Sequence, residues 1–325
     1  MAEELFPNLF RKAIPLPHSP LKAINSYVIR GDGRFLMIDT GMNRPECLEA
    51  MEAYIDELDI DLARTDFFIT HLHADHLGLV SELVRDPAKT YLHRLDAEVI
   101  RDAGHWERMA EAARLNGFPE SNIAATIESH PGRLYHVRRP LVLTNPGEGD
   151  RIEIGGYSFV CIETPGHSPG HLCLYEPARK ILFSGDHVLE SITPNISLWS
   201  ERAYDPLKLY LQSLDKIGRY DVAQVLPGHR EPFTNLRRRI DELKEHHETR
   251  NEEILALLKG EKLTAYETAA RMSWDIRCES WEAFPLPQQW FASGEALAHL
   301  RYLQGLGRVQ REMIDGKFHF FGRVS

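Results

Sequence analysis

No stretch of this chain approaches the ~20 consecutive apolar residues that a membrane-spanning helix needs, so a helical membrane protein is not expected. The first residues carry acids, Glu3 and Glu4, where a secretory signal needs bases and then a sustained apolar region, and a cytoplasmic protein is expected. Cysteine is scarce: Cys47, Cys161, Cys173 and Cys278 form no C-x-x-C pair and sit in apolar surroundings such as Phe159-Val160-Cys161-Ile162. They read as reduced core thiols, with a Cys161–Cys173 disulfide between adjacent strands left open. A basic excess is also lacking. The formal net charge is -10 and the pI about 5.9, against the clustered Lys and Arg that a broad nucleic-acid footprint requires. Internal repeats and low-complexity tracts are not evident.

What remains is an ordinary globular composition, 43% hydrophobic and 26% charged over 325 residues, long enough for one large domain with a smaller companion. Against that background one stretch stands apart. Thr70-His71-Leu72-His73-Ala74-Asp75-His76-Leu77-Gly78 follows the apolar run Phe67-Phe68-Ile69 and packs three imidazoles and a carboxylate into six residues. An apolar strand that ends in donors delivers them to a fixed point at a sheet edge. In extended chain His71 and His73 share one face, whereas Asp75 and His76 follow where the chain turns toward a helix and aim at a neighbouring point. Two adjacent metal positions are the natural reading. Isolated histidines are usually solvated loop residues, but four ligand types in six residues argue against that here. Nitrogen and oxygen donors without thiolate suit zinc best, with iron or manganese as alternatives.

The pattern H-x-H-x-D-H resembles the signature of the metallo-β-lactamase fold hydrolases, and the glyoxalase-II-like and lactonase-like branch of them in particular. Three later motifs stand in that family's order: Thr164-Pro165-Gly166-His167, Ser184-Gly185-Asp186 and Leu226-Pro227-Gly228-His229. The resemblance covers roughly residues 20 to 235. It implies two divalent ions per chain, one held by His71, His73 and His167, the other by Asp75, His76 and His229, with Asp186 bridging and with Asp75 and Asp186 as the catalytic carboxylates. Two ions sharing a water would give hydroxide near neutral pH and polarise a carbonyl or phosphoryl oxygen. A Ser or Cys nucleophile is the weaker alternative, since no G-x-S-x-G elbow is read in the chain and the cysteines look buried. Asp39, in Asp39-Thr40-Gly41, is either a turn residue or a support for the ligand loops. His171 and His187 are expected to be structural, and His93, His105, His130 and His136 lie outside any ligand motif.

The remaining pattern predicts an α+β fold. Residues 22–40 read as a hairpin, 45–58 as a covering helix, 93–130 as a mostly helical insertion, and 141–188 as short strands of a second sheet. The layering is that of a four-layer αββα metallo-β-lactamase sandwich. The chain changes character near Asn235. A long charged helix over 237–258, a capping-box helix start at Thr264-Ala265-Tyr266-Glu267, a helix near 294–303 and a hairpin about Asp315-Gly316 resemble a winged-helix module. The expected division is therefore 1–235 catalytic and 236–325 mainly helical and winged-helix-like. The insertion and the loop Glu190–Tyr204 are expected to wall the substrate pocket through Trp106, Met109, Phe118, Ile192, Leu198 and Trp199.

Three activities compete. The first is hydrolysis of a small ester, thioester or lactone. The second is cleavage of RNA or another phosphodiester, for which a winged helix could supply the binding surface. The third is a diiron redox role, against which His73 speaks, because that branch has glutamate there and appends a flavodoxin module beyond where this chain ends. Residues 236–325 carry 14 Lys plus Arg against 14 Asp plus Glu. With neither half offering a phosphate track, the expected partner is a small acyl substrate, not nucleic acid or membrane, and self-association is left open.

Overall fold

The computed structural model describes residues 1–200, 204–275 and 278–323. A seven-stranded sheet has the order β1(Glu3–Phe6), β2(Leu9–Pro15), β3(Ala23–Arg30), β4(Phe35–Ile38), β5(Thr65–Phe68), β6(Thr90–Tyr91) and β7(Leu143–Thr144). A five-stranded sheet runs β12-β11-β10-β9-β8, made from β8(Arg151–Ile154), β9(Tyr157–Glu163), β10(Leu172–Glu176), β11(Ile181–Gly185) and β12(Gln224–Pro227). A separate hairpin pairs β13(Val309–Ile314) with β14(Lys317–Gly322). The helices are α1(Pro45–Glu57), α2(Ala74–Leu77), α3(Val80–Leu83), α4(Arg94–Arg101), α5(His105–Leu115), α6(Glu120–Glu128), α7(Pro131–Leu134), α8(Pro206–Ile217), α9(Leu236–Leu257), α10(Ala265–Arg271) and α11(Leu286–Gly305). Among the described residues no helix is long and apolar enough to cross a membrane.

Period-two alternation builds the sandwich. Val28, Met37 and Phe67 point to one face of the first sheet and pack with Cys47, Met51 and Tyr54 of α1. Their neighbours Tyr27, Ile29, Leu36, Ile38 and Phe68 point to the other face and meet Phe159, Cys161, Leu172, Leu174 and Phe183 of the second sheet. Each such fully buried side chain contributes roughly 1.5–3 kcal/mol, so both faces of the first sheet are fastened, and a register slip in β4 or β5 would empty both. Cys161 lies opposite Leu174, and Cys173 opposite Ile162. The two thiols therefore project to opposite faces of the sheet, and all four cysteines are free.

The chain forms two compact units. The first comprises residues 1–101, 131–194 and 213–240, and the second 102–130, 195–212 and 241–325. This division differs from a single cut after residue 235: residues 102–130 and 195–212 go with the C-terminal helices because their apolar side chains do. Ala113, Phe118, Ile123 and Ile127 form one core with Trp290. A second cluster in that unit joins Ile254, Leu258, Ala269, Leu297, Leu303, Val309 and Phe320. The helices and hairpin expected after residue 235 are present, and Thr264 is the N-cap of α10 with the reciprocal Glu267 contacts of a capping box. One strand was misplaced by its pattern. Residues 141–143 read as the start of the second sheet, but β7 pairs with β6 in the first. It is two residues long, too short for its alternation to show which sheet it joins.

Candidate metal centre

The parallel pairs bring the site together. β4 and β5 run side by side with Ile38 opposite Phe68, and β11 and β12 run side by side with Gly185 opposite Pro227. The segments holding Asp39, Thr70–His76, Asp186 and His229 therefore leave their sheets at strand ends that lie next to each other within each pair. His167 lies on the connection between β9 and β10, whose return is tied to the first sheet by Leu172 N–H donating to Thr70 O at 2.9 Å. At Gly228 the packing leaves no room for a side chain. A Cβ there would stand 2.5 Å from Asp186 Oδ1 and 2.9 Å from the His76 ring, which gives the residue before His229 a steric reason to be glycine.

Three of the histidines are held by one nitrogen and present the other. His76 Nδ1 donates to Asp39 Oδ2 at 2.7 Å, and His229 Nδ1 to Ala23 O at 2.7 Å. Thr70 Oγ1 donates to Asp39 Oδ2 at 2.8 Å, and His71 Nδ1 lies 3.1 Å from the same hydroxyl. The outer bonds fix tautomer and ring plane and direct each Nε2 inward. Asp39 thus fills both roles its sequence context allowed. It turns the chain at φ +56°, and its carboxylate accepts from Thr70 N, Thr70 Oγ1 and His76.

The inward atoms fall into three overlapping groups: His71, His73 and His167; His71, His76 and Asp186; and Asp75, His76 and His229. His71 Nε2 is 3.0 Å from His73 Nδ1. Asp186 stands between the groups, with Oδ1 3.5 Å from His76 Nε2 and Oδ2 3.6 Å from His167 Nε2 and 3.4 Å from His229 Nε2. Asp75 Oδ2 is 3.3 Å from His229 Nε2. An ion with ligand bonds of about 2.1 Å in tetrahedral array sets its donors roughly 3.4 Å apart, and these separations cluster there. His76 Nε2, His229 Nε2 and Asp186 Oδ1 are buried and make no hydrogen bond, an arrangement that costs about 1–3 kcal/mol per group unless something else satisfies them. The donor set fits divalent cations.

The charges of these residues point the same way. Burial opposes the charged form of His76, but Asp39, Asp186 and Asp75 around it prevail and hold its pKa well above the ordinary imidazole range. Burial likewise opposes His229, and Asp186 and Asp75 carry it up to about 10. His71 and His73 are pushed the other way by burial and by neighbouring histidines, His73 to about 3. Burial works against ionisation of Asp75 and Asp186 too, yet the facing histidines bring Asp75 down to about 2 and Asp186 well below the usual carboxylate range. A cluster that recruits protons onto two imidazoles to balance its carboxylates is one where cations belong.

His171 is structural in a definite sense: Nδ1 pairs with Thr164 Oγ1 at 2.7 Å, and Nε2 accepts from Asp186 N at 3.2 Å, fixing the backbone of the central carboxylate. Two further residues escaped the sequence reading. Asn25 donates through Nδ2 to Pro227 O and Arg230 O and through its backbone to Gly228 O, clamping the His229 turn. Asp96 accepts from Leu72 N, Ser168 Oγ and Gly170 N. Contrary to expectation, Gly166-His167-Ser168-Pro169-Gly170 does have the G-x-S-x-G spacing. It joins two antiparallel strands instead of a strand and a helix, and Ser168 is buried with its hydroxyl committed to Asp96, so it offers no nucleophile.

Of the residues expected to wall the substrate, Phe118 and Leu198 are each 2% exposed within the second unit's core, which leaves a ligand almost nothing to touch. Trp106, Met109 and Trp199 are half-buried in that unit, Trp199 stacked on Trp290 at 4.2 Å between ring centroids. Ile192 is half-buried in the first unit. Residues 201–203 of the expected Glu190–Tyr204 wall lie outside the described residues.

The profile of the metallo-beta-lactamase superfamily matches residues 20–229, more than half of the chain. The chain belongs to this superfamily. It is similar over 98% of its length to the whole of a metallo-beta-lactamase family protein, TTHA1429, from Thermus thermophilus, at 30% identity and a TM-score of 0.83. It is 25% identical to the probable metallo-hydrolase YqjP of Bacillus subtilis over 76% of this chain and 79% of that one. It is 29% identical to the human acyl-coenzyme A thioesterase MBLAC2 over 64% of this chain and 74% of that one. The superfamily match begins before β3 and ends on His229, so it takes in all seven residues expected from the H-x-H-x-D-H resemblance.

Proposed function

We propose that the chain is a metal-dependent hydrolase of a small acyl thioester, ester or lactone, with thioesters first. The observation that carries the reading is Asp186, whose two oxygens face donors of both outer triads. His71, His73 and His167 would hold one divalent ion and Asp75, His76 and His229 the other, with zinc favoured by the nitrogen and oxygen donors and iron or manganese as alternatives. Bound there, such ions lower the pKa of a shared water and polarise a carbonyl oxygen. The chain's own residues do the rest. Asp39 keeps the His76 proton on Nδ1, so that Nε2 stays available. Asp75 and Asp186, held ionised through neutral pH, can accept hydrogen bonds from an attacking water and orient it. His171 and Gly228 keep Asp186 in place from behind and from the side.

Similarity to an acyl-coenzyme A thioesterase favours thioesters within the acyl class. The phosphodiester alternative has less behind it. The last 90 residues are formally neutral, and Arg239, one of the few clustered bases, is spent donating to Leu189 O and Ile192 O. Three of the four free cysteines are buried, with Cys161 and Cys173 pushed up to about 12 by burial, while Cys278, expected in the core, is exposed; free thiols suit a reducing, cytoplasmic setting. The test is metal analysis of the purified protein followed by turnover of acyl thioesters, p-nitrophenyl esters, lactones and phosphodiesters. Two metals per chain with thioester or ester turnover is expected. Tight, salt-sensitive RNA binding with metal-dependent RNA cleavage and no acyl hydrolysis would replace this reading with a nuclease.

A further inference from the structure

The two halves of the site share one support and differ in the rest: Asp39 holds His76 directly and reaches His71 through Thr70. His76 and His229 of one outer triad rest on Asp39 and on Ala23 O, with Asn25 clamping the His229 turn. The hydrogen bonds just given do not reach the loops of His73 and His167. The loops that carry His73 and His167 have a support of their own in Asp96, on α4, a helix that supplies no candidate ligand. Its carboxylate is 0% exposed. Oδ2 accepts from Leu72 N at 2.9 Å and from Ser168 Oγ at 2.7 Å, while Oδ1 accepts from Gly170 N at 2.6 Å.

We propose that Asp96 is a positioning residue that ties the His71–His73 loop to the His167 loop and thereby sets the metal affinity of that half of the site alone. Leu72 lies between two candidate ligands, so fixing its N–H fixes the backbone that aims both rings. Ser168 and Gly170 follow His167 at one and three residues, so the same carboxylate fixes that ring's backbone. The fit leaves no slack: a Cβ on Gly170 would stand 2.6 Å from His93 Nδ1 and 2.9 Å from Asp96 Oδ1. Burial raises the Asp96 pKa to about 6 against the pull of Ser168, Gly170 and Leu72. A buried carboxylate held by three donors is a costly way to fill space. What it supplies that an apolar residue would not is a rigid three-point link between two loops.

The inference rests on the metal reading above, and its test separates the two. Asp96→Asn keeps size and shape but turns one acceptor into a donor facing a donor. It would be made in the full chain, in His229→Ala, where only the His71–His73–His167 triad is intact, and in His73→Ala, where only the Asp75–His76–His229 triad is. Zinc affinity is measured by competition with a chromophoric chelator, and bound metal is counted by mass spectrometry. Asp96→Asn is expected to weaken one of two zinc equivalents by about 10–100-fold, the usual effect of losing a support behind a ligand. The same loss should appear in His229→Ala and be absent in His73→Ala. Equal weakening in both backgrounds, or none in either, overturns the proposal. If Asp96→Asn does not give folded protein by circular dichroism, Ser168→Ala, which removes one of the three donors, carries the test with the same selectivity and a smaller loss. If the unsubstituted chain binds no zinc, or neither His73→Ala nor His229→Ala alters the stoichiometry, the metal reading fails and this inference falls with it.

Discussion

Both compact units bury histidines, and they do so to different ends. In the first unit His71, His76 and His229 are fully buried beside Asp75 and Asp186, with nitrogens that make no hydrogen bond at His76 and His229. In the second, His247 and His299 are almost fully buried between α9 and α11, where His247 Nδ1 lies 3.2 Å from His299 Nε2 and His299 Nδ1 lies 2.8 Å from Asn251 Oδ1. No carboxylate faces this pair among the interactions described. His247 Nε2 makes no hydrogen bond either, so an unpaired buried nitrogen is not by itself the mark of a metal centre; imidazoles converging on carboxylates, as in the first unit, form a donor set able to hold cations. The count of buried histidines therefore says little, and the acids among them decide. The units also divide the fluorophores. All five tryptophans, Trp106, Trp199, Trp274, Trp281 and Trp290, belong to the second unit, and every candidate ligand to the first, so each can be followed separately.

The largest expected effect breaks the first unit's chemistry and spares the second unit's packing. Removing metal with a chelator should abolish turnover and leave tryptophan emission unchanged. Asp186→Ala should lose one metal equivalent and at least about a hundredfold in turnover. Two retained metals and ordinary kinetics in that variant would remove Asp186 from the site. Next in size is the reverse experiment. Phe118→Ala empties a core position ringed edge-on by Trp199, Tyr266 and Trp290, and should cost about 3–5 kcal/mol in an unfolding transition followed by tryptophan fluorescence, while the metal count stays that of the unsubstituted chain. A loss below about 1 kcal/mol would show that Phe118 is not the core residue its burial indicates.

Which candidate ligands come together was more legible in the sequence than the order of the strands around them, for a physical reason. Metal ligands come as local clusters with fixed chemistry, and His71 to His76 with the three later Gly-His or Gly-Asp motifs needed no knowledge of the sheets. Supports do not come that way. Asp96 is one acid in a helix with Glu98 two residues on, and nothing local distinguishes the buried carboxylate from the exposed one. Asn25 sits in a strand, where its only signal was a polar residue amid apolar ones. Among the strands, β8 and β9 alternate and β4, β10 and β11 are short runs buried throughout, while β6 and β7 have two residues each, β6 pairing on the edge of β5 and β7 on that of β6. The substrate wall was the weakest reading, because aromatic bulk in an insertion serves a core as readily as a pocket, and Phe118 and Leu198 went to the core.

The histidine pair of the second unit gives an intermediate effect whose sign is fixed. Burial pushes the pKa of His247 down to about 3 and that of His299 well below the ordinary value of about 6.5. Unfolding releases both to that ordinary value, so between about pH 6.5 and pH 3 the unfolded state holds more protons, and stability rises with pH across this window. The contribution is fully present above pH 6.5 and is lost as pH falls. Tryptophan-detected unfolding should steepen toward acid by up to about two protons, and His299→Gln should flatten the slope. An unchanged slope in that variant would assign the acid sensitivity to other groups.

The smallest effect tests whether the second unit's helix starts matter to the first. Thr264 caps α10: its Oγ1 accepts from Glu267 N at 3.2 Å, and Glu267 Oε2 accepts from Thr264 N at 2.8 Å. The hydroxyl also meets Gly117, at φ +90°, where a Cβ would come within 2.4 Å of it. Thr264→Ala removes the cap and leaves Glu267 N unsatisfied at the first turn, so a loss of about 1 kcal/mol is expected. Thr264→Ser should recover most of it, since the oxygen is retained and only a methyl is lost. Because neither partner of this cap lies in the first unit, zinc affinity and turnover should be unchanged in both variants. Loss of metal in Thr264→Ala would mean that the cap's strain reaches the ligand loops, and the division of labour between the two units would then be less clean than their separate cores imply.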